Sequence, residues 1–191
     1  MVEKQVMLTP SKITAWLECE HYLTLKINDE LRPKKEWIKK VAVKQEPNSG
    51  LMAPPEDFAD MLRKKGDLHE QRCLSRYKET FPNSVFEVPE RNEAGYENFA
   101  EWVQRIGNPM EENYSVIFQM PFIHEGIRGV ADFLLREEYG NGKVAYEPVD
   151  SKLSRTGAKQ GHLLQLLFYA EAVEAKTGIR PRQVHVLLGS G

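Results

Sequence analysis

Residues 115–188 contain three strand-like segments, then a helix, then a further strand. This order is the sequence feature that most constrains the fold. The three strand-like segments are rich in β-branched and aromatic residues and are separated by turn signals. They are residues 115–123, 127–136 and 144–152. We expect the helix over residues 158–177 and the last strand over 183–188. The order predicts an α/β or α+β domain around a mixed sheet.

The N-terminal part has a different, helical pattern. Residues 9–27 are expected to form a helix in which Thr9 is the N-cap and Pro10 the first helical residue. A second helix is expected over residues 56–80, after a turn-rich loop. A short strand at residues 85–88 and a brief helix at 96–106 then lead into the sheet.

The length of 191 residues fits one domain. We therefore expect a single domain over 1–191, with a helical part over about 1–80 and a β-β-β-α-β core over about 85–191. The chain stops at Gly191, directly after the last predicted strand. We expect it to be a piece of a longer chain, although a short natural protein is the alternative.

Composition excludes several classes of protein. Hydrophobic residues make up 41% and charged residues 28%, which is typical of a globular chain. No apolar run reaches the roughly 18 residues of a membrane span, and the N-terminus lacks the apolar region of a secretory signal. Two cysteines cannot build a disulfide framework. We expect a cytoplasmic protein with no membrane partner.

Charge is distributed unevenly along the chain. Residues 51–150 carry 19 acidic and 11 basic side chains, whereas residues 151–191 carry 6 basic and 2 acidic ones. A protein that coats DNA nonspecifically would be basic throughout. An acidic region beside a basic one instead suits a cation site next to a path for phosphates.

Two carboxylates and a lysine are placed by the predicted strands so that they can act together. Asp150 and Lys152 are two residues apart on one strand, so their side chains share a face. Asp132 follows Gly129 in a Gly-x-x-Asp pattern on the preceding strand. Carboxylates of neighbouring strands can share Mg²⁺ or Mn²⁺, hard cations that prefer oxygen ligands. The lysine can stabilise negative charge on a scissile phosphate.

Each of these motifs alone has an ordinary structural explanation. Gly-x-x-Asp and Asp-x-Lys are common strings, and an Asp–Lys pair is usually a solvated surface pair. A lone helical histidine such as His69 is more often a hydrogen-bonded structural group than a metal ligand. Tyr169 can be an ordinary core aromatic residue. Their order along the chain and their placement on consecutive predicted strands favour a common site.

Two helical motifs complete a family resemblance. The second helix contains Gly66-Asp-Leu-His69, and the later helix contains Gln165 and Tyr169, which share a helix face. Together with Gly-x-x-Asp and Asp-x-Lys, these motifs resemble the RecB-type branch of the PD-(D/E)XK nuclease superfamily, from about residue 9 onward. Relatives of that branch include the nuclease domains of the RecB and AddAB helicase–nucleases and the Cas nucleases.

The resemblance implies a fold, a site and a reaction. The fold would be α/β, with a restriction-endonuclease-like core in which helices flank a central mixed β-sheet. The catalytic residues would be Lys152, Asp132, Asp150, Gln165 and Tyr169. The metal ligands for Mg²⁺ or Mn²⁺ would be His69, Asp132, Asp150 and the carbonyl of Ser151. Contacts to nucleic acid would come from Gln165, Tyr169, His162 and Lys159.

One feature of some relatives is missing from the sequence. They bind an iron–sulfur cluster through an N-terminal cysteine and three cysteines after the last core strand. Cys19 stands near the first position, but the chain has no downstream trio. An iron–sulfur cluster is therefore not supported by this chain.

The expected function is a metal-dependent deoxyribonuclease that hydrolyses phosphodiester bonds. The resemblance implies an exonuclease acting on single-stranded DNA or DNA ends in repair, recombination or defence, with a helicase or other nuclease domain on the same longer chain as a partner. One alternative is a catalytically silent nucleic-acid-binding module that keeps the fold. Another is an unrelated α/β domain whose carboxylates lie on its surface.

Overall fold

A computed structural model describes residues 7–18, 21, 24, 58–96, 98–140, 142–154 and 160–189. Its helices are α1 (Pro10–Glu18), α2 (Phe58–Thr80), α3 (Phe99–Ile106) and α4 (Gln160–Thr177), with a 3₁₀ turn at Pro109–Glu112. Its strands are β1 (Val85–Glu87), β2 (Val116–His124), β3 (Ile127–Glu138), β4 (Val144–Lys152) and β5 (His185–Leu188).

The described strands form one mixed sheet with the order β1-β2-β3-β4-β5. β2, β3 and β4 are antiparallel neighbours, whereas β1 pairs parallel with β2 and β5 parallel with β4. The parallel pairing of β4 and β5 requires a crossover, which α4 supplies. The prediction of an α/β chain with helices flanking a mixed sheet is confirmed.

Most element boundaries agree with the sequence pattern within two or three residues. β4 spans the predicted residues 144–152, and Thr9 caps α1 by accepting a hydrogen bond from the backbone N–H of Lys12. The 3₁₀ turn at Pro109–Glu112 has no counterpart in the predictions. The predicted end of the first helix, the loop before α2, and Lys159 lie outside the described residues.

The sheet has a separate apolar core on each face. On one face, Cys73 and Leu74 of α2 pack against Val116, Phe133 and Val149 of the sheet. On the other face, α3 and α4 cover a larger cluster that includes Trp102, Ile117, Leu134, Tyr146, Phe168 and Val173. Burying each large apolar side chain contributes about 1.5–3 kcal/mol, so these two layers fix α2, α3 and α4 to the sheet.

The ladder between β2 and β3 is interrupted in its middle. Phe118 pairs with Phe133 and Met120 pairs with Ala131, but Gln119 and the residue opposite it, Asp132, are not paired. Gln119 adopts a left-handed backbone conformation with φ of 59°, which is uncommon for a residue other than glycine. Irregularities of this kind re-aim side chains, and here they lie at a residue of the predicted site.

None of the helices in the described ranges is both long and apolar enough to cross a bilayer.

Candidate active site

Asp132 and Asp150 lie beside each other where the ladder between β3 and β4 ends. The last pair of that ladder is Phe133 with Val149, so each aspartate is the next residue of its strand. Oδ2 of Asp132 accepts hydrogen bonds from the backbone N–H of Ser151, at 2.8 Å, and from the Ser151 hydroxyl, at 3.1 Å. Ser151 therefore fixes the orientation of the Asp132 carboxylate.

Asp150 is a buried acid paired with the predicted catalytic lysine. Its side chain is 1% exposed, and its Oδ1 lies 2.7 Å from Nζ of Lys152, whose side chain is 29% exposed. Among the described residues, no donor contacts Oδ2 of Asp150. A buried carboxylate oxygen without a donor costs free energy unless a proton or a cation compensates it.

Burial determines the protonation of Asp150. Loss of solvation raises its pKa to about 6, although the Lys152 ammonium opposes the rise. The neighbouring Asp132 carboxylate raises the pKa further, through its charge and by accepting a hydrogen bond from protonated Asp150. Asp150 therefore keeps its proton to a higher pH than an ordinary aspartate does.

Glu70, a residue that sequence reasoning missed, joins this acidic pair. Burial raises the pKa of Glu70 to about 7, and the charge of Asp132 contributes to the rise. The amide of Gln119 donates a hydrogen bond to Oε1 of Glu70. The side chain of Gln119 thus connects α2 to the position where the pairing of β2 with β3 is interrupted.

A sequence signal existed for Gln119 but not for Glu70. Gln119 is the single polar residue in the apolar run from Val116 to Ile123. Glu70 stands next to His69, and successive helical residues point about 100° apart. Only the docking of α2 on the sheet decides which of the two faces the aspartates.

His69 lies one turn before Cys73, whose pKa is raised by burial and also by the charges of Glu70 and Asp132. Its Nε2 lies 3.9 Å from Sγ of Cys73, and it lines a groove between α2 and the end of β5. Its role as a metal ligand stays a prediction. Burial raises the pKa of the adjacent Glu70, and the charge of Asp132 raises it further while that of Lys152 opposes the rise.

Tyr169 and Gln165 support the site from α4. Tyr169 is 3% exposed, and its hydroxyl donates a 2.6 Å hydrogen bond to the carbonyl of Val130. Burial raises the pKa of Tyr169, as do the charges of Asp132 and Asp150. The amide of Gln165 lies 3.5 Å from the Tyr169 hydroxyl. These contacts suit residues that orient the strand bearing Asp132.

The predicted nucleic-acid contacts are placed less centrally. His162 lies in the first turn of α4 and is half-buried.

A groove of about 490 Å³ approaches the acidic site from the β2 side, with Glu70, Gln119, Arg91, Asn92 and Trp102 among its lining residues. It offers a polar access route to Glu70.

The carboxylates of the site are of the type that binds divalent cations, but they are not arranged as a metal site. In the described part of the chain, no three His, Cys, Asp or Glu side chains stand together in an arrangement that could hold a metal ion. Asp132 and Asp150 are nonetheless hard oxygen donors, and Oδ2 of Asp150 is buried without a donor. Glu70 is a third carboxylate within electrostatic reach of Asp132. These carboxylates are of the donor type that Mg²⁺ and Mn²⁺ prefer.

Comparison with protein-family models, with curated proteins and with solved structures finds no match for this chain. The assignment of a class of protein therefore depends on the site and on the resemblance of its motifs.

Proposed function

We propose that this protein is a Mg²⁺- or Mn²⁺-dependent nuclease of the RecB-type branch, with a restriction-endonuclease-like core, that hydrolyses phosphodiester bonds in DNA. The observation that carries the proposal is the meeting of Asp132, Asp150 and Lys152 at one end of the β3–β4 ladder. A surface Asp–Lys pair would be solvated, whereas this aspartate is 1% exposed.

The topology supports the restriction-endonuclease-like core. A helix, α2, precedes three antiparallel neighbours, β2, β3 and β4, and a second helix then leads to β5, parallel with β4. The extra strand β1 pairs at the far edge of β2, away from the site. Fold alone does not establish a function, so the chemistry of the site has to support the reaction.

Asp132, Asp150 and Glu70 would hold the cation, with the Ser151 carbonyl as the additional oxygen that the resemblance implies. When bound, Mg²⁺ or Mn²⁺ lowers the pKa of water and stabilises charge that develops on the phosphate. The raised pKa values of Asp150 and Glu70 are a consequence of gathering acids in a buried place, and a cation reverses that effect.

Lys152 has the position to act on the scissile phosphate. Its ammonium neutralises Asp150 at 2.7 Å and keeps part of its surface exposed to solvent. The Lys152 ammonium would stabilise negative charge on a non-bridging phosphate oxygen in the transition state.

Cleavage of end-labelled DNA tests the proposal. Single-stranded and duplex substrates, labelled at either end, are incubated with Mg²⁺, Mn²⁺ or EDTA. We expect metal-dependent cleavage that Asp132→Asn and Lys152→Ala reduce at least 100-fold. Lys143→Ala, which alters an exposed lysine in the β3–β4 connection, is the matched control and should retain full activity.

The pattern of labelled products separates exonuclease from endonuclease action and gives the polarity. Equal cleavage by wild type and both site variants would show that the activity comes from elsewhere. Binding of Mn²⁺ without any cleavage would favour the alternative, a silent nucleic-acid-binding module that retains this fold.

A further inference from the structure

A second groove lies along α2, with none of the described residues that line the polar groove beside Glu70. This feature, here called the basic groove, has a volume of about 870 Å³ and lies between α2 and the ends of β4 and β5. The groove is larger than the polar one beside Glu70, and no step of the proposed reaction uses it.

The charged residues of the basic groove all have one sign. Lys65, Arg72 and Arg76 line it together with His69, and no Asp or Glu is among its described lining residues. These four positions are spaced by four, three and four residues, so they form a stripe along one helix face. From Lys65 to Arg76 the stripe is about 16 Å long at ~1.5 Å per residue.

Helix α2 therefore divides two surfaces of opposite charge. Asp67 and Glu70 face the polar groove beside the acidic site, whereas the cations of the stripe face the basic groove. Arg72 and Arg76 are exposed. Charge of one sign gathered in a concave surface attracts a polyanion.

The floor of the basic groove is apolar and accessible. Leu62 is 44% exposed, Leu68 is 59% exposed and Leu153 is 37% exposed. A nucleic-acid duplex hides its base faces inside the helix, so it presents only phosphates and sugars to such a floor. An unpaired strand presents both phosphates and base faces. The phosphates suit the cationic side chains of the basic groove, and the base faces suit its leucines.

The basic groove is continuous with the strand end that carries Lys152. Leu153, which follows Lys152 directly, is part of the floor. The carbonyl of Lys152 accepts a 2.7 Å hydrogen bond from the backbone N–H of Gly189, another lining residue. A strand lying in this groove would pass Leu153, the residue that follows Lys152, although Lys152 is not itself a lining residue.

We propose that the basic groove binds an unpaired DNA strand and leads it to the site at Lys152. This inference rests on the proposed nuclease function, because continuity with Lys152 is what favours DNA over an acidic peptide. Lys65, Arg72 and Arg76 contact successive phosphates, and Leu62, Leu68 and Leu153 contact the bases. His69 belongs to this surface.

Binding measured without catalysis tests the inference. Fluorescence anisotropy follows a labelled oligothymidylate in EDTA at several salt concentrations, so that neither metal nor cleavage affects the result. The test variant is Arg72→Glu/Arg76→Glu. The matched control, Arg63→Glu/Lys64→Glu, makes the same change in net charge on the same helix at residues outside the groove lining.

We expect the test variant to weaken binding at least 10-fold and the control less than 3-fold. Because the slope of log K against log salt is about −0.7 per phosphate contact for single strands, losing two contacts lowers its magnitude by about 1.4. A competing duplex of the same length should bind more weakly than the single strand.

Three results would overturn the inference: equal weakening by both variants, no binding by wild type, or tighter binding of an acidic peptide at the same arginines. Binding that depends on the groove residues, without any cleavage, would refute the nuclease function but not the binding of DNA in the groove. Cleavage that is unchanged in the Arg72→Glu/Arg76→Glu variant would refute the role of the groove alone.

Discussion

A β-carbon on residue 129 would lie 2.8 Å from the hydroxyl of Tyr169, so Gly129 makes room for that hydroxyl. The absence of a side chain lets Tyr169 reach the carbonyl of Val130 and tie α4 to the strand that carries Asp132. Gly129 of the Gly-x-x-Asp motif and Tyr169, which shares a helix face with Gln165, are thus in direct contact.

Gly129→Ala should destabilise the protein by about 1–3 kcal/mol, because the new methyl group overpacks against the Tyr169 ring and hydroxyl. Tyr169→Phe should cost about 1–2 kcal/mol through loss of the hydrogen bond to Val130. Urea denaturation of both single variants and the double variant measures their coupling. Because Tyr169→Phe removes the hydroxyl oxygen, which is the atom closest to the new methyl group, Gly129→Ala should cost less in the Tyr169→Phe variant than in wild type. Strict additivity of the two costs would show that the two residues do not constrain each other.

Asp150→Asn should stabilise the metal-free protein at pH 7.5. Asp150 has an ordinary pKa of 3.8, which burial raises to about 6 in the folded state. As pH rises from about 4 to 6, the unfolded state loses this proton first, and the folded state becomes relatively less stable. Asparagine avoids that cost, so we expect a gain on the order of 2 kcal/mol at pH 7.5 and almost none at pH 4.

Urea denaturation in EDTA at the two pH values provides the measurement for Asp150→Asn. Asp60→Asn, at an exposed position that pairs with Arg63, is the control and should change little at either pH. A gain of the same size at pH 4 and pH 7.5 would show that ionisation of Asp150 is not the cause.

Glu70→Gln should weaken Mn²⁺ binding at least 10-fold, whereas His69→Asn should weaken it less than 3-fold. Burial and the charge of Asp132 raise the pKa of Glu70, while His69 lies against Cys73. Isothermal titration with Mn²⁺ at pH 8, where Glu70 with a pKa of about 7 is ionised, gives both affinities. The reverse order of the two effects would restore His69 as the ligand that the motif resemblance implies.

Glu147→Ala should destabilise the protein by about 2–4 kcal/mol. Glu147 is 4% exposed and accepts hydrogen bonds from the Tyr139 hydroxyl, at 3.0 Å, and from Nε2 of His185, at 2.8 Å. Its removal leaves both donors unpaired and opens a cavity between β4 and β5. Glu137→Ala, exposed on β3, is the control and should stay within about 0.5 kcal/mol of wild type in thermal and urea unfolding. Similar losses in the two variants would show that the buried contacts of Glu147 contribute nothing.

Prediction from sequence succeeded where the local pattern had a local cause. The apolar alternation and turn residues around β3 and β4 indicated both strands, and the spacing of Asp150 and Lys152 implied the face they share. The Thr9 cap and the crossover helix α4 follow from equally local rules.

Sequence therefore determined the order of elements, the sheet that they build, and the pairing of an acid with a lysine on β4, because strand and helix periodicity act within a few residues. Tertiary structure decided which side of α2 faces the aspartates. The docking of Cys73 and Leu74 on the sheet turns Glu70 toward Asp132 and leaves His69 in the basic groove. Tertiary structure also decided that Gln119 leaves its ladder and bonds to Glu70, since that contact joins residues 49 positions apart. Such contacts depend on how whole elements pack, which no short stretch of sequence encodes.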